Sequence, residues 1–325
     1  MRILVAVAVT AALALRAEAQ DVEHFDTIEK AVDAAKKAKK DVLVDFTGSD
    51  WCGWCIKLSD EVFKQDAWKK GASAKYVFVE LDFPQRRKLD DRQKAYNERM
   101  QALYGIQGFP TILVLDSNGQ AYAKTGYQEG GPEAYLKHLD ELAARKQEIA
   151  DLRAKAKEGK KEDQVAALES LLGKLAEWEV EAGWLDVKES LVALDPPKET
   201  KVKHARALAL AFHGRGDVDK HKKYLQIVRD LDKDAAAGIE TSIKLETDVM
   251  PLLKKQDWKG GLEKLKPMLE AKGEAGQQAH YFAGVCEFRL GNKEGALKYI
   301  EKALELAPDG PLADECKAAI EHLKP

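Results

Sequence analysis

Two cysteines separated by two residues stand in the segment FTGSDWCGWCIKL, residues 46–58, with a tryptophan directly before each of them. Such a pair serves as half of a structural metal site, as a static staple, or as a redox centre that opens and closes. Zinc requires four ligands, but the other two cysteines lack this spacing and no histidine lies between His24 and His138. A staple of this spacing closes a very short ring and constrains little chain. The pattern therefore favours a redox centre.

The elements on either side of the pair would place the two sulfurs differently. DVLVDF (41–46) predicts a short buried strand that leads into the motif, and IKLSDEVF (56–63) predicts the helix that follows it. Cys52 then stands at a helix N-terminus, where unpaired N–H groups and the helix dipole favour thiolate over thiol. Cys55, one turn further along, should be more buried. We expect Cys52 to attack a disulfide and Cys55 to resolve the mixed disulfide.

The remaining elements of the N-terminal half alternate between strand and helix and end in a hairpin built around an Asn-Gly turn. Strands are predicted at 41–46, 76–83, 111–116 and 121–127. Helices are predicted at 28–38, at 84–105 between Pro84 and Gly105, and from Pro132 to at least Arg145. This order predicts an α/β sandwich with a mixed sheet.

The motifs of the N-terminal half resemble those of thioredoxin-like thiol–disulfide oxidoreductases. DVLVDF, WCGWC, GFPT, the hairpin and the final helix occur in thioredoxin order over about residues 24–147. The length of FTGSDW and of the segment between Pro84 and Gly105 is more similar to the secreted or periplasmic branch of the family. The resemblance implies a thioredoxin fold that exchanges disulfides with the cysteines of client proteins. It implies no metal and no organic cofactor.

The resemblance also implies roles for individual residues around the redox pair. Asp45 matches the buried acid that assists proton transfer when Cys55 attacks. Pro110 matches a cis-proline that faces the disulfide and leaves a backbone edge free for a substrate. The residues implied to contact substrate are Trp51, Trp54, Phe109 and Thr111. The two tryptophans could instead be packing aromatics.

Two positions depart from the family pattern. Trp54 stands where thioredoxin usually has a proline, and the residues between the cysteines strongly affect the redox potential. Glu80 stands where a lysine usually neighbours the buried acid. An acid there would repel the ionised Asp45 carboxylate and raise its pKa, although Glu80 could equally be an ordinary solvated strand residue. The direction of the reaction therefore does not carry over from the family, and Asp45 only slightly favours reduction.

After about residue 148 the sequence predicts paired amphipathic helices without strands. Residues 279–310 resemble a tetratricopeptide repeat, with small residues at Gly284, Ala296 and Ala303 and a stop at Pro308. Segments 204–231 and 257–270 resemble parts of degenerate units, and 311–324 would form the closing helix. The region is predicted to present a surface for a protein partner.

The two remaining cysteines allow two interpretations. Cys286 and Cys316 lie on the first helix of the matched repeat and on the closing helix, which would pack close together. A disulfide between them is conceivable. Buried free thiols that fill small core positions are the favoured alternative.

The N-terminus MRILVAVAVTAALALRAEAQ has the pattern of a cleavable signal peptide. Arg2 precedes an apolar run at 3–15 that is too short to span a bilayer, and Ala17–Ala19 fits a small-x-small cleavage site. A buried first helix is the alternative. Residues 1–19 are therefore predicted to be removed, which would leave an exported protein, periplasmic or secreted, in a compartment that tolerates disulfides.

We therefore predict a signal peptide (1–19), a thioredoxin-like domain (20–147) and an all-α, tetratricopeptide-like repeat domain (148–325). The predicted function is thiol–disulfide exchange with protein clients, slightly favouring reduction, with an unidentified electron donor or acceptor. The alternative is a non-catalytic adaptor whose repeats bind a partner while the thioredoxin-like domain docks. The net charge of −3 gives no reason to expect nucleic acid or an anionic membrane as the partner.

Overall fold

The computed structural model describes residues 22–324, so the predicted signal peptide at 1–19 lies outside the described residues. The described chain forms two compact units. The first unit contains the residues up to Gly159 together with Ala166–Trp184. The second unit contains Lys160–Val165 and the residues from Leu185 onward.

The first unit is built on a five-stranded sheet in the order β1-β3-β2-β4-β5. Strand β2 lies parallel to β3 and antiparallel to β4, so the sheet is mixed. The strands are β1 His24–Phe25, β2 Asp41–Thr47, β3 Tyr76–Asp82, β4 Thr111–Leu115 and β5 Ala121–Thr125. This sheet, followed by a helical region, confirms the predicted fold class.

The central strand β2 shows why this segment forms the core of the sheet. Val42, Leu43, Val44 and Phe46 are all completely buried. A continuous apolar run of this kind is typical of a strand that is covered on both faces. Asp45 interrupts the run and is nevertheless buried as well.

Helices flank this sheet, and α2 continues into a π-helical stretch at Ser59–Phe63. The helices are α1 Ile28–Ala38, α2 Gly53–Leu58, α3 Asp66–Ala72, α4 Asp91–Leu103, α5 Gly131–Ala143, α6 Arg145–Lys155 and α7 Lys161–Glu177, of which α7 extends over both units.

The helix predicted at 84–105 is shorter than expected, because α4 begins only at Asp91. The Asp90 side chain accepts a hydrogen bond from the N–H of Gln93 and caps the helix there. The preceding residues instead form a loop whose backbone N–H groups donate to the carboxylate of Asp50. The prediction failed at this end because the competing partner lies about 35 residues away in sequence.

The first unit extends beyond the sheet and its flanking helices. The Trp184 side chain is 1% exposed, and its indole Nε1 donates to the carbonyl of Ala121 on the edge strand β5 at 2.8 Å. Lys124, also on β5, forms a 2.6 Å ion pair with Glu179. The segment after α7 therefore covers an edge that would otherwise expose unpaired backbone groups. Residues 148–159 and 166–184, which the sequence assigned to the repeat region, belong to this unit.

The second unit is helical. After a 3-10 turn at Glu181–Gly183 in the first unit, its helices are α8 Leu185–Ala193, α9 Lys198–Gly214, α10 Val218–Leu231, α11 Lys233–Lys244, α12 Met250–Lys254, α13 Trp258–Leu265, α14 Gly273–Arg289, α15 Lys293–Leu306 and α16 Ala313–Leu323. A π-helical stretch at Leu245–Val249 precedes α12, and a 3-10 turn at Lys266–Met268 follows α13. None of the helices described between residues 22 and 324 is long and apolar enough to cross a membrane.

Helices α14 and α15 pack closely where the repeat pattern has small residues. A Cβ atom at Gly284 would lie 2.5 Å from Cγ1 of Ile300 and 3.1 Å from the carbonyl oxygen of Ala296. Ala303, one turn beyond Ile300, is completely buried. The small residues therefore allow the close approach of the two helices, as the repeat pattern predicted.

Cys286 and Cys316 are both free thiols with no exposed surface. They lie in two different hydrophobic clusters of the second unit. Burial, with a smaller contribution from the charge of Glu287, raises the pKa of Cys286 to about 11. These residues fill the core, in agreement with the favoured of the two interpretations.

Candidate active site

The two cysteines of the motif form a disulfide at the start of α2. Cys52 is the N-cap residue of this helix, and its Sγ atom accepts a hydrogen bond from the N–H of Cys55 at 3.2 Å. The two Cα atoms are 5.2 Å apart. Cys52 is 7% exposed and Cys55 is 3% exposed. Both residues are buried, and Cys55 is the more buried of the two, as the sequence predicted.

Trp51 is fixed beside the disulfide and remains 40% exposed. Its indole Nε1 donates to the carbonyl of Phe83 at 2.7 Å, and its ring packs edge-on against Phe109 at 5.9 Å. Gly48 lies under the indole, where an added Cβ would come within 2.6 Å of the ring. The turn after β2 therefore needs a residue without a side chain at this position.

The Phe109–Pro110 peptide bond is cis. Thr111 is buried at the start of β4, and its Oγ1 donates to the carbonyl of Gly108 at 2.7 Å. This hydrogen bond fixes the turn that contains Pro110. Because β4 runs antiparallel to β2 and Thr111 pairs with Phe46, the start of β4 lies beside the C-terminal end of β2. The structure thus brings Phe109, Pro110 and Thr111 to the end of the sheet that carries the disulfide.

Trp54, the second aromatic of the motif, is 57% exposed and packs against Tyr127 at 5.2 Å. The Nζ atom of Lys57 lies over both rings, and the Tyr127 hydroxyl donates to Glu61 at 2.5 Å. The sequence reasoning missed Lys57, Glu61 and Tyr127. The first two could have been found from their helical spacing relative to Trp54, whereas Tyr127 comes from the segment after β5.

Asp45 lies inside the sheet at the same end. Its side chain is 5% exposed, and its Oδ1 atom has no hydrogen-bond partner among residues 22–324. It pairs with Glu80 on β3 and with Ile112 on β4. Burial raises the pKa of the Asp45 carboxyl well above its usual value, and the negative charges of Glu80 and Asp82 raise it further.

Two acids connect the motif loop to the loop before α4, and the sequence reasoning found neither of them. The buried Asp82 accepts hydrogen bonds from the N–H and the hydroxyl of Ser49, at 2.8 and 2.6 Å, and pairs with Arg87. Asp50 accepts from the backbone N–H groups of residues 85–87, and the bond from Gln85 contributes most to lowering its pKa. Together these bonds fix the position of the residues that precede Cys52.

The arrangement provides a disulfide at a helix start, exposed aromatic side chains on either side of it, and a buried acid, Asp45, in the strand β2 that precedes it. Trp51, Trp54 and Ile56 are three of the five large hydrophobic side chains recorded as exposed in residues 22–324. No group of three or more His, Cys, Asp or Glu side chains in this part of the chain is placed to hold a metal ion. The chemistry that the geometry offers is thiol–disulfide exchange.

Comparison with known proteins agrees with this chemistry. Residues 28–143 match the family model of a thioredoxin-like domain, and residues 277–309 match that of a tetratricopeptide repeat. The chain is 34% identical over 113 residues to the disulfide bond reductase DsbH of Chlamydia pneumoniae, which is 35% of this chain and 68% of that protein. It is 28% identical over 105 residues to the thioredoxin-related protein DsbJ of the same organism, 32% of this chain but only 30% of that protein. A solved structure of a DsbH oxidoreductase is 30% identical, with a TM-score of 0.37, over 41% of this chain and 92% of that one.

Proposed function

Because the chain belongs to the thioredoxin-like thiol–disulfide oxidoreductases, we propose that it is an exported enzyme that reduces disulfides in client proteins. The observation that carries this proposal is the disulfide between Cys52 and Cys55 at the start of α2. Such a short ring contributes little stability, so a structural role does not account for the disulfide. A redox role, in which the disulfide opens and closes, accounts for it.

In the reduced enzyme the Cys52 thiolate attacks one sulfur of a client disulfide. The other client sulfur leaves as a thiolate and takes a proton from solvent, which gives a mixed disulfide between Cys52 and the client. Cys55 then loses its proton and attacks the Sγ atom of Cys52, and the second client thiolate leaves. Two electrons have passed to the client, and the Cys52–Cys55 disulfide of the structure is the product.

The roles of the neighbouring residues follow from their positions at the end of the sheet that carries the disulfide. The turn at Pro110, with Phe109 and Thr111, supplies a backbone edge along which an extended client segment binds. Trp51 and Trp54 contact apolar side chains of the client next to its disulfide, which their exposure supports.

Asp45 is proposed to accept the proton that Cys55 loses. It is a buried acid in the strand that leads into the motif, with an Oδ1 atom that has no hydrogen-bond partner in the described chain. Its raised pKa also keeps a proton available for the reverse step, when an electron donor opens the disulfide and Cys55 leaves as a thiolate.

Reduction is the proposed direction, with regeneration of the dithiol by a donor of electrons. The relative DsbH is named a disulfide bond reductase, and the catalytic segment of this chain covers most of its length. Export is proposed from the N-terminal pattern of Arg2, an apolar run and Ala17–Ala19. A reductase beyond the cytosol would keep selected client cysteines reduced where disulfides otherwise persist.

The second unit is proposed to bind a protein, either a client or the electron donor. Its helices α14 and α15 match a tetratricopeptide repeat, and such stacks usually present an extended surface for a partner. Binding there would raise the local concentration of the client near Cys52. We propose that the exchange reaction resides in the first unit, which contains the domain predicted at 20–147, and that the helices from α8 onward contribute recognition.

Reduction of insulin by dithiothreitol tests the proposal directly, because the freed insulin chains precipitate and scatter light. The enzyme should shorten the lag before precipitation, whereas Cys52→Ser should behave like the uncatalysed control. A wild-type protein that folds and re-forms its disulfide, but leaves the lag unchanged, would favour the non-catalytic adaptor instead.

A further inference from the structure

Asp45 and Glu80 are direct partners in the register of the parallel strands β2 and β3. Neighbouring strands lie about 4.8 Å apart, and paired residues point to the same face of a sheet. The two carboxyl groups therefore emerge from adjacent positions on one face. No other strand separates them.

Glu80 is also the member of the pair that reaches solvent. Strand β1 covers the far side of β3 only at Phe78 and Val79, so its pairing ends before Glu80. The Glu80 side chain is exposed, while Asp45 is buried. Burial and the negative charge of Asp82 raise the pKa of the Glu80 carboxyl, and the positive charge of Arg87 lowers it. Within residues 22–324 the Glu80 side chain forms no hydrogen bond or salt bridge.

The other titratable groups near Asp45 differ from Glu80 in this respect. Asp82 stands on the same face but is engaged by Ser49 and Arg87, and the positive charge of Arg87 offsets its effect. Tyr135 approaches from α5, and its hydroxyl donates to the carbonyl of Gly126 at 3.1 Å. The Cys52–Cys55 pair follows β2. Among these groups, Glu80 is the carboxylate that is directly paired with Asp45 in the strand register and that forms no salt bridge within residues 22–324.

We propose that Glu80 is a positioning residue that keeps Asp45 protonated and thereby sets the pH above which Cys55 can resolve a mixed disulfide. The inference rests on the proposed function. A negative charge beside Asp45 disfavours a second negative charge in the same place. Protonated Asp45 can supply a proton to the Cys55 thiolate when a donor opens the disulfide, but it must lose that proton before it can accept one from the Cys55 thiol.

The resolving step can be followed separately from the first attack. One equivalent of dithiobis(nitrobenzoate) added to the reduced enzyme releases one nitrothiobenzoate when Cys52 attacks and a second when Cys55 closes the disulfide. The rate of the second release should rise with pH through a midpoint in the wild type. Cys55→Ser should show only the first release.

The variants are Glu80→Gln, which removes the charge and keeps the shape, Glu80→Lys, which reverses it, and the control Asp66→Asn at an exposed position on α3. Glu80→Gln should move the midpoint down by about half to one pH unit, which corresponds to a rate about 3- to 10-fold higher on the acidic side. Glu80→Lys should move it further, and Asp66→Asn should leave it in place. Asp45→Asn should remove this midpoint.

A carbon-13 NMR titration of the Asp45 carboxyl in the same variants gives a readout that does not depend on activity. It should show the same downward shift in Glu80→Gln and Glu80→Lys. Equal midpoints in the wild type and both Glu80 variants, with loss of the midpoint in Asp45→Asn, would overturn the role of Glu80 and leave the proposed function intact. A wild-type enzyme that never releases the second nitrothiobenzoate would overturn both.

Discussion

The N–H of Cys55 donates a hydrogen bond to the Sγ atom of Cys52 at 3.2 Å, so the sulfur of Cys52 caps the helix that carries Cys55. An oxygen usually accepts this bond at a helix start. A thiolate accepts it better than a thiol, and the positive end of the helix dipole acts in the same direction. The contact between these two residues therefore supports the proposed order, in which Cys52 attacks and Cys55 resolves.

Replacing either cysteine should separate these two roles. Cys55→Ser removes the resolving thiol but leaves Cys52 at the helix start, so it should accumulate mixed disulfides with client proteins. Cys52→Ser should form none, because the remaining Cys55 is more buried and does not occupy the N-cap position of α2. Non-reducing gel electrophoresis of each variant after incubation with oxidised insulin shows the adducts. Equal trapping by both variants would contradict the assignment.

The stability of the first unit should depend on pH through Asp45. Burial raises its folded pKa above the unfolded value of about 3.9, so the folded state binds this proton more tightly. The contribution of the proton to stability is complete below about pH 4 and is lost as pH rises toward the folded pKa. Asn does not ionise, so Asp45→Asn should gain about 1.4 kcal/mol over the wild type for each pH unit in that window.

Urea unfolding at pH 5 and pH 8 checks this difference. Five of the six tryptophans, residues 51, 54, 68, 178 and 184, lie in the first unit, so their fluorescence reports mainly on its unfolding. The gain from Asp45→Asn should be larger at pH 8, while Asp66→Asn should show the same difference from the wild type at both. A gain for Asp45→Asn that does not change with pH would show that Asp45 is not the group that titrates.

Local patterns predicted the parts of the fold that depend on neighbouring residues. The buried strand DVLVDF, the helix after the cysteines and the hairpin around Asn-Gly all formed where the hydrophobic pattern and turn residues placed them. The close approach at Gly284 followed from the spacing of small residues in the repeat. In each case the information lies within a short segment.

The features that the sequence did not predict depend on contacts between distant segments. The helix after Pro84 starts late because Asp50 captures the backbone N–H groups of the loop before it. Trp184 joins the first unit through a hydrogen bond to Ala121, which is 63 residues away in sequence. No periodicity in either segment indicates its partner. Tyr127 contacts the motif for the same reason, through the fold of the sheet.

The extension of the first unit predicts how fragments will behave. A fragment of residues 20–184 keeps Trp184 and Glu179, which cover strand β5, whereas a fragment of residues 20–147 loses both. The longer fragment should fold and exchange small disulfides, and the shorter one should unfold at a lower temperature or aggregate through the open edge. Thermal unfolding followed by circular dichroism compares them. Equal stability of the two fragments would show that the segment up to 184 adds nothing to the unit.

The second unit offers a matched pair of glycine substitutions. Gly284→Ala places a Cβ against Ile300 and the backbone of Ala296, and should destabilise the unit by about 1–3 kcal/mol. Gly214→Ala meets nothing within 4 Å at the end of α9, and should be neutral or stabilising by less than about 1 kcal/mol. The midpoints of urea unfolding, followed by far-UV circular dichroism, measure both. A loss of similar size in both variants would contradict the close packing of α14 on α15.

Cys52 and Cys55 are proposed to form a reversible couple that acts as a reductant. The equilibrium redox potential of this couple tests the proposal when it is measured in buffers of reduced and oxidised dithiothreitol or glutathione, followed by acid quenching and alkylation. Cys286 and Cys316 are buried free thiols and serve as the internal reference. We expect a potential nearer to that of thioredoxin, about −270 mV, than to that of the oxidant DsbA, about −120 mV. A potential near the latter value, or a disulfide that does not re-form after reduction, would contradict the proposal.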